Sequence, residues 1–105
     1  MMNEVIQLNS EMQVHARAAA NLLKAMANEH RLMIMCTLMD GELCVGELNA
    51  KVPLSQSALS QHLASLREAG LVSTRKESQT VYYKVCGSEA SKIIAVLQSI
   101  YCPTN

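Results

Sequence analysis

Tryptophan and phenylalanine are absent from this chain of 105 residues, so its core must be built from aliphatic side chains and seven methionines. Long apolar runs are also missing, because the longest, such as residues 32–36 and 93–97, reach about a quarter of the roughly 20 residues that a membrane span needs. No basic stretch followed by an apolar run opens the chain, which argues against a secretory signal. We therefore expect a cytoplasmic protein with no membrane partner.

A surplus of positive charge is missing too. Nine basic and nine acidic residues give a formal net charge of zero, whereas domains that bind nucleic acids usually carry a basic total. The distribution is uneven, however, because five bases stand against two acids between Lys51 and Lys84, while acids outnumber bases before residue 50. The positive charge is therefore concentrated in the second half of the chain.

The sequence signatures of common catalytic sites are absent as well. There is no Cys-x-x-Cys, His-Glu-x-x-His or Gly-x-Ser-x-Gly, and no phosphate-binding loop. Four cysteines are present, and in a reducing cytosol they indicate core, metal or redox roles rather than a disulfide framework. We expect no enzyme and no resident cofactor.

Apolar spacing predicts a mainly α protein with a β-hairpin (α+β), in the order ααααββα, forming a single domain over residues 1–105. The predicted helices cover about 5–27, 29–39, a short segment from 44, 55–69 and 88–101, where Pro103 ends the last one. Two β-rich runs over 71–75 and 81–86 form the hairpin, the wing of a winged helix-turn-helix domain. Because residues 76–80 contain no glycine, we expect a long, mobile tip rather than a tight two-residue turn.

The helix over 55–69 has one apolar face and one face of short hydrogen-bonding side chains. Glutamine can bond to N6 and N7 of adenine, and serine can donate or accept, so such a helix suits the major groove of DNA. Nearby basic side chains suit contacts with DNA phosphates. The predicted DNA contacts are Ser55, Gln56, Ser57, Ser60, Gln61, His62, Arg67, Arg75, Lys76, Gln79 and Thr80. The alternatives are an ordinary solvated face, a winged helix that binds another protein, and a His62 that is merely packed.

The first and last helices keep apolar side chains that one small domain has little room to bury. We expect these residues to lie in the interface of a twofold homodimer. They are Ala18, Ala19, Leu22, Ile93, Ile94, Val96, Leu97 and Ile100.

Several motifs resemble the ArsR/SmtB family of dimeric winged-helix repressors. They are the segments Lys24–Leu32, Val45–Leu48, Leu54–Leu63, Leu66-Arg67, Gly70–Val72 and Val81–Tyr83. Within this family, the chain is most similar to the sulfur-responsive branch that contains HlyU, BigR and SqrR. The shared features are the sequence Leu-Ser-Gln-Ser-Ala-Leu-Ser-Gln-His-Leu, Cys36 and the pair Tyr101-Cys102. The resemblance implies that the fourth helix lies in the major groove of operator DNA, that the hairpin is the wing, and that the terminal helices form the dimer interface.

The effector is a separate question, because many members of this family sense metals. The arsenic-type site resembles Cys-Val-Cys, but here Gly46 replaces the second cysteine, and no histidine follows His62 for a zinc-type site. We therefore expect no metal. Taken alone, Cys36 is typical of a core cysteine and Cys102 of a tail thiol. The resemblance implies that the two form a sensing dithiol, which a persulfide, a polysulfide or another oxidant bridges.

Other functions stay open at this point. An activator similar to HlyU, which relieves silencing by a nucleoid protein, would have the same DNA contacts as a repressor. A metal-sensing repressor and a thiol enzyme that uses Cys36 or Cys102 are the alternatives from other classes. Cys44 and Cys86 have no role in the dithiol mechanism.

Overall fold

A computed structural model of the protein describes residues 2–102, with side chains described from Ser10 onward. Pro103, which we expect to end the last helix, lies outside the described residues. The elements follow in the order α1 (Met2–Met26), α2 (Glu29–Leu38), β1 (Leu43–Cys44), α3 (Val45–Lys51), α4 (Gln56–Glu68), β2 (Val72–Glu77), β3 (Thr80–Val85) and α5 (Ser88–Tyr101). None of the described helices is long and apolar enough to cross a membrane.

The winged helix-turn-helix prediction is confirmed, but the predicted order ααααββα lacks one strand. Leu43 and Cys44 pair antiparallel with Tyr83 and Tyr82, so the sheet has three strands in the order β1-β3-β2. Two residues are too few to show an alternating pattern in the sequence. Their strand exists because β3 offers a free edge beside the start of α3.

The core lies where α2, α3, α4 and α5 meet. Ile34 and Met35 of α2, Leu48 of α3, and Ile94 of α5 have no exposed surface. The burial of Ile94 corrects the expectation that it lies in a dimer interface, because α5 packs back onto α2 within the same chain. Val96 and Ile100 on the opposite side of α5 remain exposed.

Both ends of α4 are fixed by local hydrogen bonds. Before the helix, the Asn49 side-chain amide donates to the Leu54 carbonyl at 2.7 Å, which ties the connecting turn to α3. The Ser55 hydroxyl then accepts from the Ala58 amide at 3.2 Å as an N-cap. At the other end the Leu71 amide donates to the Leu66 carbonyl and the Gly70 amide to the Arg67 carbonyl, with Gly70 at φ 78. These two bonds form a Schellman motif, so α4 ends where glycine permits the left-handed conformation.

The tip of the wing contradicts the expected long loop. Glu77 pairs with Thr80, so only Ser78 and Gln79 connect the strands. Ser78 has φ 56 and is the only non-glycine residue with a positive φ in the described chain. The regular pairing along β2 and β3 forces this tight turn, although a two-residue hairpin with a positive φ at its first position normally has glycine there. The side chain of Ser78 is therefore strained by a clash with the backbone that glycine would avoid.

We predict that Ser78→Gly raises the free energy of unfolding by up to about 1 kcal/mol, because glycine adopts positive φ without the clash that an L side chain makes. The matched control is Gln79→Gly, which adds the same flexibility where no positive φ needs it and should lower stability by about 0.5–1 kcal/mol. Urea unfolding measures both. Two variants that lose stability equally would show that Ser78 is unstrained.

Candidate DNA interface and thiol cleft

The exposed face of α4 carries the predicted DNA contacts. Gln56, Ser57, Ser60 and Gln61 are exposed, as is Arg67 in the last turn. The opposite face is locked, because Leu59, Leu63 and Leu66 are completely buried. The helix therefore cannot rotate about its axis without taking leucine out of the core, and its short polar side chains stay aimed at solvent. Ser55 stands beside this face as the cap.

His62 differs from the other predicted contacts because it is half-buried on the side of α4 that faces α2. Its Nδ1 accepts a hydrogen bond of 3.1 Å from Nε of Arg31, and its ring lies 6.1 Å from that of His30. Burial lowers the pKa of His62, and the charges of Arg31 and His30 lower it further. The imidazole is therefore held neutral inside a contact between two helices.

The wing presents Lys76, Gln79 and Thr80 to solvent. Arg75 is also exposed, but its guanidinium is occupied. Nε donates to Glu42 at 3.0 Å, Nη2 also binds Glu42, and Nη1 donates to Glu77 at 2.6 Å. These bonds raise the pKa of Arg75 and lower that of Glu42, and the guanidinium lies 4.8 Å from the centre of the Tyr82 ring. The phosphate contact predicted for Arg75 stays a prediction.

Cys36 and Cys102 are brought together in one apolar cleft of about 180 Å³, which we call the thiol cleft. Leu32, Leu97, Gln98 and Tyr101 complete its lining. Burial raises the pKa of the Cys36 thiol, Cys102 raises it further, and a hydrogen bond with Gln98 opposes the shift. Cys36 is half-buried and Cys102 is exposed, so Cys102 is the thiol that a reagent reaches first.

The other two cysteines lie elsewhere. Cys44 is half-buried at the start of α3, where its backbone amide donates to the Glu47 carboxylate at 3.0 Å. This bond lowers the pKa of Glu47 and forms half of a capping box. Cys86 is exposed beyond the end of β3. Among the residues that the structure describes, no three His, Cys, Asp or Glu side chains form a group that could hold a metal ion.

Sequence reasoning missed three residues that act at these sites. Arg31 is bonded to a residue 31 positions away, and Glu42 to one 33 positions away. Gln98 modulates the pKa of Cys36 across two helices. No local pattern reveals such pairs. One local signal was available. Arg31 is a basic residue in the first turn of α2, where the helix dipole favours acidic side chains, so a specific partner for it could be expected.

Comparison with known proteins gives the chain its relatives. Residues 28–74 match the family model of the bacterial regulatory proteins of the arsR family. The chain is 56% identical over 95 residues to the transcriptional activator HlyU of Vibrio cholerae, covering 90% of this chain and 88% of that protein. It is 45% identical over 91 residues to the biofilm growth-associated repressor of Agrobacterium fabrum, covering 87% and 78%.

Solved structures agree with these matches. Reduced HlyU from Vibrio cholerae superimposes with a TM-score of 0.84 at 56% identity, covering 88% of this chain and 97% of that one. The homodimeric winged helix-turn-helix DNA-binding domain of Mb0332 from Mycobacterium bovis gives a TM-score of 0.75 at 28% identity, covering 85% and 82%. Both likenesses extend over most of the described fold.

Proposed function

The chain belongs to the arsR family of bacterial regulatory proteins, and on that premise we propose that it is a homodimeric transcriptional regulator that binds operator DNA through α4 and the wing. The family and its named relatives are regulators, so the alternative of a thiol enzyme does not apply. We further propose that bridging of Cys36 to Cys102 releases the protein from DNA.

The observation that supports DNA binding most strongly is the fixed orientation of α4. Three buried leucines hold one face in the core, and the cap at Ser55 and the Schellman motif at Gly70 fix its length. The opposite face then offers Gln56 and Gln61 to a major groove, whose width admits an α-helix. Lys76 on the wing supplies charge for phosphates.

A dimer follows from the surface that a single chain leaves open. The side chains from Ser10 to Asn21 on α1 are all exposed. The exposed surface includes large apolar side chains on both terminal helices. They are Met12 and Val14 on α1, and Val96 and Ile100 on α5. We propose that the dimer interface lies on α1 and α5, because nothing in the described part of the chain covers these side chains.

The thiol switch has a balanced chemical route. The thiolate of Cys102 attacks the outer sulfur of a persulfide R–S–SH, the S–S bond of that persulfide breaks, and RS⁻ leaves, so that Cys102 carries the sulfur as a persulfide. The thiolate of Cys36 then attacks Sγ of Cys102 and expels HS⁻, which leaves a disulfide. The two thiols are oxidised and the transferred sulfur is reduced to sulfide.

The position of the bridge explains how it acts on DNA binding. A bond between Cys36 and Cys102 joins α2 to the end of α5, and α5 belongs to the proposed dimer interface. The two copies of α4 in a dimer must lie about one helical turn of DNA apart, roughly 34 Å, to enter successive major grooves. A bridge that alters the angle between the protomers therefore weakens binding without touching the DNA-contacting residues.

Activation is a second candidate outcome of the same DNA binding, and it is favoured by the 56% identity to a protein named as an activator. In this case the regulator relieves silencing by a nucleoid protein instead of blocking transcription itself. The position of its footprint distinguishes the two, because a repressor covers the promoter and an antirepressor covers the silenced region upstream.

We predict that Gln61→Ala weakens operator binding by about 1–3 kcal/mol and weakens binding to unrelated DNA much less, because glutamine contacts base edges. The matched variant is Lys76→Ala, which should weaken both DNAs alike and reduce the slope of log K against log salt by about one. Fluorescence anisotropy over a salt series measures both effects. Equal losses of Gln61→Ala on operator and unrelated DNA would contradict base contact by α4.

We predict that Cys36→Ser and Cys102→Ser each bind operator in the reduced state and stay bound when polysulfide is added, because neither can form the bridge. Electrophoretic mobility shift measures release. Cys86→Ser is the matched control, since Cys86 is exposed but lies outside the thiol cleft, and it should be released like the wild type. Release of either cleft variant by polysulfide would show that the bridge is not the switch.

A further inference from the structure

Arg31 joins three elements at one point. Its Nε donates to Nδ1 of His62 on α4 at 3.1 Å, and its Nη1 donates to the backbone carbonyl of Ala25 near the end of α1 at 3.1 Å. The residue itself stands in the first turn of α2. One guanidinium thus links the DNA-binding helix to the end of α1, with both bonds partly buried.

Hydrogen bonds to backbone amides at the start of α2 fix the position of Arg31. The Asn28 side chain caps α2 by accepting from the backbone amides of His30 at 2.9 Å and Arg31 at 3.1 Å. The cap fixes where α2 starts and therefore where the Arg31 side chain leaves the backbone. Met26 is buried just before the cap, so the chain between α1 and α2 has little freedom.

The same bond determines the state of His62. Nδ1 accepts a hydrogen bond from Nε of Arg31, so the neutral imidazole must carry its own proton on Nε2. Protonation of Nδ1 would remove the acceptor and place an imidazolium against a guanidinium. The groups that act on the pKa of His62 among the described residues are Arg31 and His30, both from α2, and both lower it. From α1, the Ala25 carbonyl accepts from Arg31 and is not a titratable group.

We propose that Arg31 is a positioning residue for DNA binding, which holds α4 against the end of α1 through His62 and Ala25. It touches no base or phosphate in this role. The proposal rests on the proposed DNA binding by α4 but not on the thiol switch. It also assigns His62 a supporting contact in place of the predicted direct contact with DNA.

This arrangement makes operator affinity fall in acid, because protonation of His62 removes its contact with Arg31. The pKa of His62 is lowered in the folded protein, so the contact is fully present above the ordinary histidine pKa of about 6.5 and is lost as the pH falls through the lowered value. A histidine that contacts phosphate gains affinity for DNA when it is protonated. The sign of the pH effect therefore separates a positioning histidine from one that contacts DNA.

The experiment measures the operator affinity of the full reduced protein by fluorescence anisotropy between about pH 7.5 and about pH 5. The wild type should lose affinity toward the acid end. His62→Asn places an amide oxygen near the position of Nδ1 and cannot take up a proton in this pH range, so it should lose most of the acid dependence. Arg31→Lys keeps the charge but not the planar group that reaches both acceptors, so it should bind about tenfold more weakly at neutral pH.

Two further readouts guard against simple misfolding. Circular dichroism and thermal unfolding show whether Arg31→Lys is folded at the assay temperature. ¹⁵N NMR of the wild type should show His62 protonated on Nε2 alone at neutral pH, and Arg31→Lys should shift the His62 Nδ1 signal.

Specific outcomes overturn the proposal. Wild-type affinity that rises in acid, and no longer rises in His62→Asn, would make His62 a phosphate contact. Arg31→Lys that is folded and binds like the wild type would show that Arg31 positions nothing. A wild type that fails to bind any operator at neutral pH would instead refute the proposed function.

Discussion

The burial of one face of α4 is the constraint on which the rest of the molecule depends. Leu59, Leu63 and Leu66 have no exposed surface, and removing a buried leucine side chain from such a core typically costs about 2–5 kcal/mol. Their burial fixes the rotation of the helix, and rotation decides which side chains face solvent, where we propose that DNA binds. The Ser55 cap and the Gly70 stop add the limits of its length. Apolar packing thus places a polar surface that contributes little to stability itself.

The helix α2 connects this surface to the thiol cleft. Arg31 in its first turn holds His62 of α4, while Cys36 in the same helix faces Cys102 at the end of α5. Both contacts lie on a helix whose Ile34 and Met35 are fully buried. A movement of Cys36 in the thiol cleft therefore moves α2, and α2 cannot move independently of the core. The net charge is neutral and carboxylates occupy Arg75, so the general attraction for DNA is modest. We therefore propose that binding depends on the placement of two copies of α4.

The helices could be predicted from the sequence because their signals are local. The spacing of the leucines, the Asn28 and Ser55 caps and the Gly70 stop each act within a few residues. The strand at Leu43 could not be predicted, because it exists only through its partner Tyr83. The tight turn at Ser78 was missed for the same reason, since strand pairing overrides the preference for glycine. The contacts of Arg31 with His62 and of Arg75 with Glu42 join residues more than 30 positions apart. The pairing of Cys36 with Cys102 came from the family resemblance alone.

The proposal that the exposed face of α4 lies on DNA can be tested through the side-chain amides of glutamine, because glutamines lie both on this face and away from it. The measurement is an NMR titration of reduced, ¹⁵N-labelled protein with operator DNA. The account predicts that the amides of Gln56 and Gln61 on α4 and Gln79 on the wing shift on binding, while those of Gln13 on α1 and Gln98 in the thiol cleft stay nearly unchanged. Shifts confined to Gln13 or Gln98, with Gln56 and Gln61 unmoved in the bound state, would contradict it.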